Sequence, residues 1–181
     1  LEQFNLKYAI LGSEPWSEAL RQEVEGNLGI KASNIYGLSE IIGPGVSNED
    51  FEEQGTGSYI WEDHFFPEIV DEKTGEPVPY GQPGVLVITT LTKEALPLVR
   101  YWTGDITTLT YEHSGKRTHV KMGPIIGRAD DMMIIRGVNF FHTQIADFIP
   151  EFPQLLPNYQ VILTKPKNMD AVEVGFEINA K

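Results

Sequence analysis

The spacing of apolar positions changes several times along the chain. Residues 6 to 11, Leu-Lys-Tyr-Ala-Ile-Leu, form a short apolar run closed by Gly12, which predicts a buried strand. Trp16, Leu20, Val24 and Leu28 then recur every four residues, on one face of a helix. Pro15 suits that helix's first turn, and Gly26 and Gly29 mark its end. Ile35 and Tyr36 open a second strand edge. Strand, helix and strand in so short a span predict a parallel βαβ unit, with its loops gathered at the carboxyl ends of the strands. A single unit of this kind cannot cover both faces of a parallel sheet, so it is expected to be the last part of a larger α/β domain.

Residues 43 to 57 are rich in Gly, Ser, Asn and acidic side chains and are expected to be a loop. β-rich segments follow: Tyr59 to Val70, Gly84 to Leu91, Leu98 to Trp102, Ile106 to Glu112 and Arg117 to Met122. Turn signals such as Lys73-Thr74-Gly75 and His113-Ser114-Gly115-Lys116 separate them, which predicts a small antiparallel β-barrel or sandwich. After Gly127 come a hairpin-like stretch, a short helix from Thr143 to Ile149 stopped by Pro150 and Pro153, and strands Tyr159 to Thr164 and Ala171 to Ile178. The expected fold is therefore mixed α/β and β in three parts. Residues 1–57 end an α/β domain, 58–127 form the antiparallel barrel, and 128–181 begin a small α+β domain.

Composition narrows the function. The 181 residues include no cysteine, which excludes disulfides and thiolate metal sites and leans toward a reducing compartment. No apolar run reaches membrane-spanning length and no charged-then-apolar leader precedes residue 10, so a soluble cytoplasmic protein is expected. The net charge of −12 opposes attraction to nucleic acid and to anionic lipid. It does not exclude a phosphate-bearing small molecule, which backbone amides, a metal ion and a few placed cations can hold.

Three segments carry candidate chemistry. Asn34-Ile35-Tyr36-Gly37-Leu38-Ser39-Glu40 follows a strand's carboxyl end, where α/β sheets bind ligands. Tyr36 can stack on a flat ring, Gly37 admits close backbone approach, Ser39 can bond a phosphate oxygen, and Glu40 is a hard oxygen donor for Mg²⁺. A strand-to-loop turn capped by Ser39 and Glu40 explains the same residues. Gly12-Ser13-Glu14-Pro15 is expected on the same sheet edge, where Ser13 also suits a helix N-cap. Leu98 to Asp105 is expected to end a strand in a turn presenting Asp105, whose two carboxylate oxygens suit a ribose diol or, alternatively, an Asx-turn. Gly127 to Gly137 places charges and an apolar strand between two glycines, as a surface hairpin or as a segment built to bend.

These segments occur in a telling order. Gly-Ser-Glu-Pro-Trp at 12–16, Ile-Tyr-Gly-Leu-Ser-Glu at 35–40, Arg-Tyr-Trp-Thr-Gly-Asp at 100–105 and Gly-Arg-Ala-Asp-Asp at 127–131 resemble the adenylate-forming acyl-CoA synthetases. Ile-Gly-Pro-Gly-Val at 42–46, Ile-Trp-Glu-Asp-His-Phe-Phe-Pro-Glu-Ile at 60–69, Thr-Thr-Leu-Thr-Lys-Glu-Ala-Leu-Pro at 89–97 and Ile-Arg-Gly-Val-Asn-Phe-Phe at 135–141 resemble the phenylacetate-CoA ligase family.

The resemblance implies an aryl carboxylate activated by ATP and Mg²⁺ to an acyl adenylate, from which CoA displaces AMP, in the breakdown of phenylacetate or a close arylacetate. It implies that Tyr36 packs on adenine, Ser39 bonds the phosphate, Glu40 holds Mg²⁺ and Asp105 binds the ribose. Gly12, Ser13 and Glu14 would form a wall between adenine and the acyl pocket, with Ile42, Gly43 and Pro44 on the aryl side. Arg128 would approach the ribose, Asp130 would be a domain hinge, and Gly137 would line the pantetheine path. Another carboxylate or acceptor, or a noncatalytic nucleotide-binding module, is the alternative.

Ser13, Trp102 and His142 depart from the family's usual residues, whereas Ile134 fits this family though not the wider superfamily. His64, beside two carboxylates, is expected to be structural. The superfamily's Ser/Thr/Gly-rich phosphate loop and its C-terminal catalytic lysine segment are not in the sequence, Lys181 being merely its last residue. A fragment inactive by itself is therefore expected. Its partners would be an aryl carboxylate, ATP and CoA, with no nucleic acid or membrane, and a homodimer is left open.

Overall fold

The first apolar run forms strand β1 (Tyr8–Leu11), which pairs in parallel with β2 (Lys31–Leu38) so that Leu11 faces Asn34. Helix α1 (Glu18–Leu28) makes the crossover. Ser17 caps it by accepting the Leu20 amide, and Gly29 ends it in the left-handed region at φ 65°. The fold is that of a computed structural model, which describes residues 5–13, 16–112, 116–131, 133–135, 138–166 and 171–179. It divides into two units, Leu1–Ile125 and Ile126–Lys181.

The face of α1 that the apolar spacing marks is not the buried one. Leu20 and Leu28 are exposed, whereas Arg21 is only 6% exposed. The Arg21 guanidinium donates to the Ala32 carbonyl and to Glu49 Oε1 at 2.9 Å, lies 2.8 Å from Glu49 Oε2, and sits 4.6 Å from the Trp16 ring centroid. Glu49, 3% exposed, also accepts the Asn34 amide at 2.9 Å and the Gly55 amide at 2.5 Å. Counting apolar positions misses such a residue, because a charge is buried where partners satisfy it.

Residues 43–57, expected as a loop, hold most of a strand. Strand β3 (Ile42–Asn48) lies between β2 and β4 (Ser58–Ile60), antiparallel to both. Gly43, Pro44 and Gly45 fall in the register shift of this strand, between its paired ends at Ile42 and at Ser47 and Asn48, which carry the ladder across residues of weak strand propensity. The run from Tyr59 to Val70 is broken after β4 by a turn in which the His64 and Phe65 amides both donate to the Trp61 carbonyl. Strand β5 (Phe65–Val70) then pairs with β6 (Gly84–Thr90), which pairs with β7 (Tyr101–Thr107), all antiparallel. Strands β8 (Leu109–Thr110) and β9 (Lys121–Met122) return to the first sheet, whose order is β1-β2-β3-β4-β9-β8. Strands after residue 58 are thus shared between two sheets, one of them continuous with the βαβ unit.

The core lies between those sheets. Val46, Ile60, Leu109 and Met122 from the first meet Phe65, Ile69, Leu86 and Ile88 from the second in one buried cluster. Pleating makes the inward residues alternate along β5 and β6.

The second unit opens with β10 (Gly127–Arg128), a 3₁₀ turn over Ala129–Asp131, and the hairpin β11 (Met133–Ile135) and β12 (Val138–Phe140). Helix α2 (Thr143–Phe148) leads into a 3₁₀ turn holding Pro150, then β13 (Leu155–Thr164) and β14 (Ala171–Ile178) pair antiparallel. Its buried apolar residues Phe141, Ile145 and Ile149 recur every four positions, as one helical face requires.

Candidate functional site

The C-terminal ends of β1 and β2 lie side by side, because parallel neighbours run in the same direction. At the end of β1, a Cβ on Gly12 would stand 2.6 Å from the Ile35 carbonyl oxygen and 2.8 Å from its Cγ2, so only glycine fits there. Ser13 follows at φ 83° and is exposed, with its backbone in the left-handed region. Glu14 lies outside the described residues.

Beyond Ile35 the ladder of β2 and β3 slips by a bulge between Tyr36 and Leu38, at Gly37, and closes with Leu38 facing Ile42. Tyr36 projects from this bulged stretch and donates its hydroxyl to Asp105 Oδ2 at 2.6 Å. Asp105 does not end a strand as expected. It lies inside β7, directly after Gly104, whose φ of 82° accompanies a register shift between Val85 and Val87 on β6. A bulge of this kind re-aims the next side chain. Thr103 fixes that direction: its buried hydroxyl donates to the Leu86 carbonyl at 2.8 Å and accepts the Asp105 amide at 3.0 Å. Nothing in the sequence pattern marked Thr103, apart from its place two residues before Asp105.

Ser39 and Glu40 form the exposed tip of the β2–β3 hairpin, and among the described residues nothing pairs with the Glu40 carboxylate. The Ile41 amide donates to the Leu38 carbonyl at 3.1 Å, and Ile41 is buried in the core. Ile42 and Gly43 are exposed at the start of β3, and Pro44 follows in the same strand. The structure therefore brings Gly12 and Ser13 to the β1–β2 edge and joins Tyr36 to Asp105, with Ser39, Glu40, Ile42 and Gly43 on the adjoining hairpin. No group of three or more His, Asp or Glu residues among those described is arranged to hold a metal by itself.

Arg128 and Asp130 belong to the second unit. They pair at two points, Nε to Oδ1 at 2.9 Å and a terminal guanidinium nitrogen to Oδ2 at 3.1 Å. The hydrogen bond from Arg128 holds the exposed Asp130 carboxyl below its ordinary range. Gly137 lies outside the described residues. Asp130, Asp131, Met133, His142, Tyr159 and Val161 line an open groove of about 600 Å³ in this unit. His64 sits in the exposed turn before β5, 2.9 Å from the Thr92 hydroxyl and 3.4 Å from Asp63.

Residues 137–181 match the family model described as the AMP-binding enzyme C-terminal domain. The chain superposes on a solved 2-hydroxyisobutyryl-CoA ligase in the postadenylation state in complex with 2-HIB-AMP. That match has TM-score 0.80 and 26% identity over 96% of this chain and 37% of that one. The same ligase in complex with 2-HIB-AMP and CoA matches with TM-score 0.64 and 26% identity, over 96% and 37%. The sheet-rich mixed α/β architecture matches that of adenylate-forming ligase structures.

Its sequence is 58% identical over 179 residues to a phenylacetate-coenzyme A ligase of Thermus thermophilus, covering 98% of this chain and 40% of that protein. It is 47% identical over 174 residues to the phenylacetate-coenzyme A ligase of Escherichia coli, covering 96% and 39%. The chain is similar in sequence over nearly its whole length to phenylacetate-CoA ligases and spans about 40% of the length of the curated relatives it matches.

Proposed function

We propose that these residues form the nucleotide-handling part of an AMP-forming aryl-CoA ligase acting on phenylacetate or a close arylacetate. The observation that carries this is the Tyr36–Asp105 hydrogen bond, which unites two segments 69 residues apart at one place. In the first half-reaction a carboxylate oxygen attacks the α-phosphorus of ATP, forming an acyl adenylate and expelling pyrophosphate. In the second, CoA sulfur attacks the acyl carbonyl, loses its proton, and AMP departs.

Tyr36, with its hydroxyl tied to Asp105, presents its ring to adenine, and the Asp105 carboxylate accepts from the ribose hydroxyls. Ser39 donates to a phosphate oxygen. Glu40 would hold Mg²⁺, and its exposed carboxylate fits that role, since Mg²⁺ commonly takes one or two protein carboxylates and completes its shell with phosphates and water. Bound there, the ion would offset phosphate charge as it develops. Gly12 and Ser13, with Glu14, would wall the adenine from the acyl side, where Ile42, Gly43 and Pro44 face the aryl group. In the second unit Arg128 would approach the ribose, Asp130 would act as the hinge, and Gly137 would border the pantetheine path. Residues 1–57 would end the adenylation domain, 58–127 would form the barrel subdomain and 128–181 the hinge and start of the small domain, in a cytoplasmic enzyme of phenylacetate breakdown.

The test is pyrophosphate exchange by the complete polypeptide carrying this sequence, across a panel of aromatic and aliphatic acids. Exchange with phenylacetate or a close arylacetate is expected. Silence on every aromatic acid would overturn the arylacetate reading.

A further inference from the structure

The turn bearing Ser39 and Glu40 is held from outside its own hairpin. Ile41 anchors it inward, 2% exposed in the core, while the Glu40 and Ile41 carbonyls lie outside the β2–β3 ladder. Lys93 Nζ donates to both carbonyls, at 2.7 Å each. Two charge-assisted bonds from one ammonium fix two successive peptide planes, and so the direction of the side chains before them. Because the grip is entirely on backbone, the Glu40 carboxylate stays available.

The segment that delivers Lys93 is itself braced. Leu91 donates its amide to the His64 carbonyl at 2.8 Å, Thr90 donates its amide to the Leu98 carbonyl at 2.9 Å, and the Leu98 amide returns to the Thr90 hydroxyl at 2.9 Å. Between β6 and β7, Leu96 and Arg100 hold φ of 53° and 49°, a left-handed backbone that bulky side chains rarely adopt. Such strain persists only where surrounding contacts over-determine it, and it concentrates at functional sites.

We propose that Lys93 is a positioning residue for the Ser39–Glu40 turn, setting the geometry with which Ser39 meets phosphate and Glu40 meets Mg²⁺. This rests on the reading of that turn given above. A lysine suits the task because a compact ammonium can gather two adjacent carbonyls, whereas a planar guanidinium favours a flat two-oxygen partner.

The test compares Lys93→Met, Lys93→Arg and Glu40→Ala in the complete ligase polypeptide. The half-saturating Mg²⁺ and ATP concentrations in pyrophosphate exchange are measured together with the melting temperature. Lys93→Met is expected to raise the half-saturating Mg²⁺ concentration about fivefold or more, with little change in melting temperature, and Lys93→Arg to recover part of that shift. If Glu40→Ala moves the Mg²⁺ requirement while Lys93→Met leaves it within about twofold, the positioning role fails and the reading of the turn stands. Lys93→Met lowering melting temperature and activity together, at unchanged half-saturation, would make Lys93 a structural brace only. A Glu40→Ala variant with an unaltered Mg²⁺ requirement would overturn the reading of the turn, and this inference with it.

Discussion

Arg21 and Glu49 meet as a two-point ion pair nearly closed to water, at 2.9 Å and 2.8 Å, between helix α1 and the residue after β3. Glu49 also accepts the amide of Asn34, two residues before Tyr36, so the pair steadies the strand that leads into the candidate site. Removing one partner strands a buried charge. Glu49→Ala is expected to cost about 3–5 kcal/mol, and the double change Arg21→Met with Glu49→Leu much less. Urea denaturation of the three proteins measures this; a double variant as unstable as the single one would contradict it.

The Tyr36–Asp105 contact predicts unequal effects on nucleotide use. Tyr36→Phe keeps the ring and loses one bond to a carboxylate, so the half-saturating ATP concentration is expected to rise about tenfold at most. Asp105→Ala removes the acceptor and is expected to raise it further. Pyrophosphate exchange at varied ATP measures both, and an Asp105→Ala value within about twofold of the parent would refute the ribose assignment.

Local features were legible in the sequence and distant ones were not. The apolar run ending at Gly12, the helix closed by Gly29 and the short helix before Pro150 each depend on neighbours within a few residues, and each appears in the structure, although the first strand, expected to be buried, leaves Tyr8 and Ile10 exposed. The sequence marks helix α1 but not its buried face, because Arg21 owes its burial to Glu49, 28 residues away. Gly43, Pro44 and Gly45 signal a loop and lie in an irregular stretch of strand β3, because the strand is held at its two paired ends, Ile42 and Ser47 with Asn48. In the sequence only family resemblance links Tyr36 to Asp105, since no local rule connects residues in different sheets. Lys93 stood inside a recognised motif without a role; its partners are two carbonyls, which every residue carries.

An alkaline transition should report on Tyr59. Burial, and then its hydrogen bond to Glu53, push this phenol from 10.0 up to about 12. The fold thus favours the neutral phenol. The associated stability is complete below pH 10 and is lost as pH rises through about 12. Tyr59→Phe is expected to lose about 1–2 kcal/mol near neutral pH and to show a smaller further loss across that window. Denaturant midpoints measured against pH would show it, and an alkaline loss of unchanged size would exclude Tyr59 as its source.

Two glycines should respond in opposite ways to alanine. At Gly12 the new methyl meets the Ile35 carbonyl oxygen at 2.6 Å, and a loss of about 1–3 kcal/mol is expected as the β1–β2 edge shifts. At Gly26, inside α1, nothing lies within 4 Å of a Cβ, so alanine should add about 0.5–1 kcal/mol through helix propensity. Thermal melts of the pair settle the matter, and the same sign for both would count against the close approach at Gly12.

The return of β9 to β4 has a kinetic side. Ser58 pairs with Met122 only after the chain has travelled out through β5, β6 and β7 and back, a long loop whose ends must be brought together before the pairing is rewarded. The βαβ unit and the β2–β3 hairpin need no such journey and are expected to form first. Hydrogen-exchange protection at the Ile60 amide, which donates to the Val120 carbonyl across that late pairing, should accordingly lag that at Ile35 during refolding, so that its appearance marks completion of the first unit.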